Sequence, residues 1–390
     1  MKRKTIVIVM AVLAALALSG LHLTGKDVVN TGKNVSLVRE AEAAGGKVTT
    51  PNEAAPDRYT YYPGTEELGK DEIRLIALGT GANANTAALM IPFDFLAKVF
   101  LTHLHTDHWG DLPGLWAGGW TSGRTIPLEV WGPSGATPEM GTKYAVEHFL
   151  KTYNWDNKTR LANLPSTPGK IVVHEFDYTG ENQVVYEKNG VTIRSWPAIH
   201  AGDGAISYAL YWKGMKLVIG GDTRPNKWYV KYAKDANVAI HEAFHTPEQL
   251  VTLYSQSPQS ALGVGTVVHT PPQAFGKVMS TIKPKHAIAY HFLIESDTRD
   301  QMLLYIRETY DGLLTLAEDM LVWNITKDDI RVRKATSTDE AWSVVGPNKP
   351  QKPDHTVPDQ LSKKMLDGNW DISKVSAKMV KEFKKKYNMK

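Results

Sequence analysis

Short apolar runs punctuate this chain, and most of them stop at a histidine, an acidic residue or a glycine pair. IRLIALGTG (73–81) is a strand pattern closing on glycines, and AKVFLT (97–102) is a second that ends as the histidines of LTHLHTDHWGD (101–111) begin. KIVVHEFDY (170–178) and GVTIRSWPAIH (190–200) read as strands, the latter ending at His200. ISYALYWKGMKLVIGGDT predicts a hairpin turned at Lys213 and Gly214 that delivers Asp222 at a strand end. ANVAIHEAF (236–244), HAIAYHF (286–292) and MLVWNI (320–325) complete the strands, while MGTKYAVEHFL and HTPPQAFGKVMSTIKP carry helical spacing. Strands alternating with helices predict layered α/β packing, with polar, metal-capable side chains held at strand ends, where a scaffold is rigid and the tips stay open. No internal repeat of solenoid or propeller period is present, and IRLIALGTG lacks the full GxGxxG pattern of a dinucleotide fold.

The two ends have a different character. MKRKTIVIVMAVLAALALSG sets charges before an apolar run from Ile6 to Leu18 and small residues after it, the layout of a secretory signal cleaved after Ser19. It predicts a periplasmic or secreted protein with no stable membrane span once the signal is removed. Residues 20–71, including PNEAAPDRYTYYPG, read as a leader packed by its tyrosines, and residues 72–345 as the folded domain. GPNKPQKPDHTVPD (346–359) is a proline-rich linker, and the basic tail to residue 390 places Val375, Met379, Val380 and Phe383 at helical spacing among lysines. That tail reads first as a solvated helix docked on its own domain, with an anionic surface or a partner subunit as the other occupants. A homo-oligomer would form through the leader or the tail.

Composition narrows the chemistry. A chain of 390 residues with 42% apolar content can bury a sizeable core, which excludes wholesale disorder. The formal charge of +4 comes without a sustained basic block in the middle of the chain, so it neither demands nor excludes a polyanionic substrate. Cysteine is absent, which removes thiolate metal sites, lipidation and disulfides together.

The densest candidate chemistry is HLHTDH. His103, His105, Asp107 and His108 crowd the end of an apolar strand, where such groups repel or desolvate one another unless a cation holds them. Leaving a strand for a helix, the segment can turn two donors to one metal and two to another, and His200, Asp222 and His291 at other strand ends can complete the set. Taken singly, His200 or His291 would be an ordinary core histidine, and Asp222 after two glycines would be a turn residue. Imidazole and carboxylate donors suit Zn2+, with Mn2+ or Fe2+ as alternatives.

HTDHWGD resembles the HxHxDH motif of the metallo-β-lactamase superfamily, and the region from about Ile73 to Ile325 is similar to its ribonuclease Z-like branch, including secreted, subclass B3-like β-lactamases of that branch. The resemblance implies a four-layer αββα sandwich with a dinuclear zinc site on one edge. It implies His103, His105 and His200 on one metal, Asp107, His108 and His291 on the second, and Asp222 bridging. The pair His241 and Glu242 and the HTPPQAF segment at His269 match the ribonuclease Z-like branch, except that Pro271 follows Thr270. One departure stands out: after Gly81 roughly thirty residues that form a strand pair in relatives are missing, about two strands at ordinary lengths; either the sheet is rebuilt without them or the sequence omits a segment, and the apolar core that an excised hairpin would expose favours omission.

In this scheme Asp107 orients a metal-activated nucleophile, while His269, its far nitrogen held by Glu242, protonates a leaving group. Trp109, Trp116 and Trp120 either wall a substrate pocket or belong to the core. Three functions compete. The first is a zinc-dependent hydrolase opening the amide of β-lactams, a small-molecule substrate, favoured by the export signal. The second is a ribonuclease Z-like phosphodiesterase acting on RNA, favoured by Glu242, His269 and the basic tail. The third is a non-catalytic, metal-stabilised interaction module, disfavoured because structural zinc sites normally close with four donors.

Overall fold

The computed structural model describes residues 7–11, 60–78, 89–292, 296–336, 344, 346–354 and 361–389. The shortened connection after Gly81, the proposed cleavage site and most of the leader lie outside the described residues. Four layers stack as helices, sheet, sheet, helices. One inner layer is a seven-stranded sheet in the order β13 (Leu314–Leu316), β12 (His286–Tyr290), β11 (Val238–Glu242), β10 (Met215–Ile219), β9 (Ile206–Trp212), β8 (Val191–Pro197), β7 (Gln183–Lys188).

The facing layer is split in two. A five-stranded sheet runs β1 (Val7–Ala11), β3 (Ile73–Leu78), β14 (Leu321–Ile325), β15 (Ile330–Ala335), β2 (Thr60–Tyr61), and a three-stranded sheet runs β4 (Lys98–Phe100), β5 (Leu128–Pro133), β6 (Ile171–Phe176). The split falls between β3 and β4. The apolar run Val7–Ala11, which the sequence places in a secretory signal, pairs in parallel with β3 from Val7 opposite Arg74 to Ala11 opposite Leu78. At the other edge Tyr61, from the end of the leader, is buried beneath the guanidinium groups of Arg74 and Arg333 at 4.5 and 5.1 Å, and Arg333 pairs with Glu66.

Alternation along the strands explains the layering. In β12, Ala287 and Ala289 face the helices Pro272–Ile282 and Ser296–Arg307, while Ile288 and Tyr290 face the other sheet. Small residues let the helices approach closely, and large ones fill the space between sheets, where Ile73, Leu75, Trp323 and Ile325 meet Leu210, Met215, Leu217 and Ile240. Each such side chain contributes roughly 1.5–3 kcal/mol by leaving water. Phe100 joins the small sheet to the large one by stacking on Trp131 at 4.8 Å and meeting Tyr208 edge-on at 5.8 Å. The hairpin β9–β10 turns at Lys213 and Gly214, both at positive φ (47° and 77°), the primed turn that its two-residue loop requires.

β10, β11 and β12 are mutually parallel, and β8 runs the same way because two antiparallel pairings separate it from β10. All four therefore end at one edge of the sandwich. There the chain carries His200, Asp222, Glu242 and His291.

Trp116 and Trp120, candidate pocket walls in the sequence, are buried in a separate core, where their indole N–H groups donate to the carbonyls of Gly169 and Pro165 at 2.8 Å each. Trp109 packs partly buried against the same cluster. The tail helix Ser373–Lys386 forms where helical spacing predicts it, but its apolar side chains are exposed rather than docked on the domain.

Gly221, just before Asp222, has φ +67°, and a Cβ there would lie 2.8 Å from the Cβ of Thr102 on the segment leading to His103. Gly221→Ala is therefore expected to cost about 1–3 kcal/mol through overpacking and backbone strain. It should be read as a lower denaturant midpoint at unchanged slope. An unaltered midpoint would show that this close approach does not constrain the turn.

Candidate metal centre

β4 stops at Phe100, and the chain continues extended through His105 (φ −64°, ψ 145°) before turning into the one-turn helix Thr106–Trp109. The change from extended to helical backbone lets side chains two and three residues apart converge, which strict strand alternation would forbid. The N–H of His108 donates to the carbonyl of His105 at 2.9 Å, closing the turn. Opposite it stand the ends of β8, β10, β11 and β12. His291 leaves β12 in the left-handed region (φ 71°), a conformation that the surrounding packing must maintain against its local cost.

Two groups of donors result. Nitrogens of His103, His105 and His200 lie within 4.8 Å of one another, and so do donor atoms of Asp107, His108, Asp222 and His291. His200 Nε2 is 3.1 Å from His105 Nδ1. Asp222 connects the groups through one oxygen: its Oδ2 lies 3.1 Å from His108 Nε2, 3.3 Å from His291 Nε2, 3.8 Å from His200 Nε2 and 3.9 Å from His103 Nε2. Asp107 Oδ2 adds contacts of 3.3 Å to His108 Nε2 and 3.4 Å to His291 Nε2. The seven residues singled out in the sequence thus surround one pocket.

Glu242 and His269 adjoin it. His269 caps the π-turn Val264–Val268, and its Nδ1 stands 2.7 Å from Glu242 Oε2. Glu242 is fully buried; Oε1 accepts the N–H of Thr223 at 2.7 Å, and Oε2 also stands 3.4 Å from His291 Nδ1. With Asp222 and His291 these two residues form a third donor group, overlapping the second. His241, the neighbour of Glu242, points to the opposite face and meets Tyr229 edge-on at 4.6 Å, as strand alternation requires.

Sequence reading did not single out Phe244, which stacks on His269 at 3.9 Å with an interplanar angle of 16° and lies 5.2 Å from His291. Nor did it find Thr223, or the carbonyl of Val268, 3.3 Å from His200 Nδ1. The period-two pattern placing Phe244 beside Glu242 on the same face was the available signal.

The charges of the pocket depend on one another. Burial, with the nearby His108 and other imidazoles, pulls His103 down to about 2, so its ring is neutral and holds a lone pair. Burial works against charge on His108 and His291 as well, but Asp107 and Asp222 outweigh it and raise both. Burial would likewise raise Asp107 and Asp222; the imidazoles of His108 and His291 override it and hold both carboxylates well below their ordinary range. Bound cations can replace those imidazole protons as the counter-charge.

The donors fit such cations. His103 Nε2 and Asp222 Oδ1 are buried and have no hydrogen-bond partner among the described residues. Each atom of this kind costs roughly 1–3 kcal/mol unless something satisfies it. Nitrogen and carboxylate oxygen, without sulfur, are suitable ligands for divalent transition metals.

Residues 92–292, half of the chain, match the family described as "Beta-lactamase superfamily domain". The chain belongs to the metallo-β-lactamase superfamily. Within the superfamily it is similar to ribonuclease Z of Mycobacterium marinum, 29% identical over 236 residues that cover 55% of this chain and 81% of that protein. It is also similar to ribonuclease Z of Mycobacterium bovis, at 30% identity over 236 residues and the same coverage. Among solved structures, the metallo-β-lactamase fold protein YhfI from Bacillus subtilis aligns with a TM-score of 0.42 and 16% identity, covering 60% of this chain and 80% of that one. The superfamily fold and the His/Asp clusters together make this chain a metal-dependent hydrolase of the metallo-β-lactamase fold. The likeness to secreted, subclass B3-like enzymes found no counterpart among these relatives, which are ribonucleases Z.

Asp222→Ala is expected to release tightly held metal from both groups, whereas His105→Ala should weaken only the group with His103 and His200. Elemental analysis of desalted protein reads the difference. Equal metal content in the two variants would refute a shared oxygen.

Proposed function

We propose that this superfamily member is a zinc-dependent phosphodiesterase of the ribonuclease Z kind, with RNA or a smaller phosphodiester as substrate. The observation that carries the reading is the 2.7 Å pairing of Glu242 with His269 at the rim of the donor groups. A strained four-membered lactam opens with less need of such an acid than a phosphodiester has in expelling an alkoxide. The mycobacterial relatives, named ribonuclease Z, support the same choice. The β-lactam reading rests on the export layout of the first residues, most of which lie outside the described ones.

His103, His105 and His200 would hold one zinc ion and Asp107, His108 and His291 a second, with Asp222 serving both. When bound, the two ions would supply Lewis acidity toward a phosphoryl oxygen and an acidified water. The chain's own residues do the rest. Asp107, the most exposed of the acidic donors at 36% of its side chain, orients the nucleophile at the mouth. Glu242 holds Nδ1 of His269, and Phe244 fixes the plane of its ring, leaving Nε2 to carry a proton to the leaving oxygen. The carbonyl of Val268 at His200 Nδ1 orients that imidazole so that Nε2 turns to the pocket. Export of the chain remains part of the proposal, supported by the charged and then apolar residues 1–19; cleavage after Ser19 would take the strand Val7–Ala11 away from the edge of β3.

His269→Ala is expected to slow cleavage of RNA, whose leaving group is an alkoxide, by about 10²–10⁴-fold. It should barely affect a p-nitrophenyl phosphodiester, whose leaving group needs no proton, and metal content should hold. Equal losses on both substrates would remove His269 from this role. Faster turnover of a cephalosporin than of either diester by the unaltered protein would restore the lactam reading.

A further inference from the structure

The linker stays fastened to the domain as far as Asp354. Asn348 donates to Asp94 and Thr125 at 2.9 Å each, Gln351 donates to the carbonyl of Thr125 at 2.9 Å, and Asp354 accepts both the N–H and the hydroxyl of Ser166 at 2.7 Å. Beyond it, every residue from Leu361 to Met389 except Ser376 is exposed. Within that stretch Ser373–Lys386 is a regular helix carrying six lysines against one glutamate.

The two faces of this helix are opposed. Ile372, Val375, Met379 and Phe383 follow one another at intervals of three, four and four residues and form an apolar stripe with Val380 beside it. Lys374, Lys378, Lys381 and Lys385 repeat at four, three and four residues and occupy the other side. The stripe is open to solvent: Val375 is 86% exposed, Met379 63% and Phe383 53%. Trp370, 86% exposed, precedes the helix, and Tyr387, in contact with Phe383 at 4.7 Å, follows it.

We propose that this helix docks flat on an anionic lipid surface. Such a surface meets both faces at once, with apolar side chains entering about 5–10 Å into the headgroup boundary and lysines remaining among the phosphates. Trp370 and Tyr387, one at each end, suit the interfacial level that amphipathic rings prefer. RNA would satisfy the lysines and leave the apolar stripe in water. A second copy of the helix would cover the stripe, but two heptads broken by Lys386 fall short of the three or four a coiled coil sustains. With fourteen residues the helix lies on a membrane rather than through it, and no helix among the described residues is long and apolar enough to cross one.

The test uses the full chain loaded with metal, sedimented with vesicles of phosphatidylglycerol and phosphatidylcholine or of phosphatidylcholine alone. Binding is expected to the anionic vesicles and to weaken as salt rises. Reversing Lys378, Lys381 and Lys385 to Glu should lower the partition coefficient at least tenfold, since each lysine near an anionic surface counts for about a fivefold change. Met379→Glu with Phe383→Glu should lower it comparably, and turnover of a p-nitrophenyl phosphodiester in solution should stay unchanged in both variants. The proposal is overturned by failure to sediment with anionic vesicles at low salt, by equal binding to both vesicle types, or by apolar-stripe variants that bind like the unaltered chain. A tail-dependent dimer in light scattering without lipid binding would assign the stripe to a second copy instead. Because hydrolysis is measured separately, failure here leaves the phosphodiesterase reading untouched.

Discussion

The carboxylate of Asp222 is the constraint on which the site depends. It is 1% exposed, and burial alone would drive it to take up a proton. What keeps it ionised is above all the imidazoles of His291 and His108, 3.3 and 3.1 Å from one of its oxygens, with His200 and His103 at 3.8 and 3.9 Å completing the ring around it. Those rings arrive on three separate parts of the chain, His103 and His108 sharing one. The geometry is therefore a product of the whole sandwich, and any element that shifts disturbs a balance between burial and charge in which each group sets the state of the others.

Parallel pairing is what makes the convergence achievable. Because β8, β10, β11 and β12 run in one direction, the residues that follow them share one edge although long stretches of chain separate them. The alternation of small and large residues that seats helices on one face and a second sheet on the other also decides which of two neighbouring polar residues reaches the pocket. His241 and Glu242 illustrate this: one is enclosed by Tyr229 and Phe275, and the other serves His269 and His291. Glu242 thereby links His269 to His291, a donor of the second group, through one buried carboxylate.

The facing layer is built under a different limit. It is divided into two sheets, and Phe100 fastens the smaller one to the seven-stranded sheet by stacking on Trp131 and meeting Tyr208 edge-on. The β-branched run at Val7–Ala11 takes the edge of β3, where unpaired backbone groups would otherwise face solvent. Tyr61 reinforces the other edge through two guanidinium groups.

Much of this was legible along the chain. Periodicity alone located the strands ending at His200, Asp222 and His291 and the Lys213–Gly214 turn, because local sterics and burial act over a few residues. The crowding of His103, His105, Asp107 and His108 pointed to a metal site for a reason equally local: such groups repel or desolvate one another at an apolar strand end unless a counter-charge compensates them. That Trp116 and Trp120 belong to a core, that Phe244 stacks on His269, and that the tail helix exposes its apolar face were decided only in three dimensions. Each depends on contacts between segments far apart in the chain, and the pattern of a segment does not specify which other segment its face will meet.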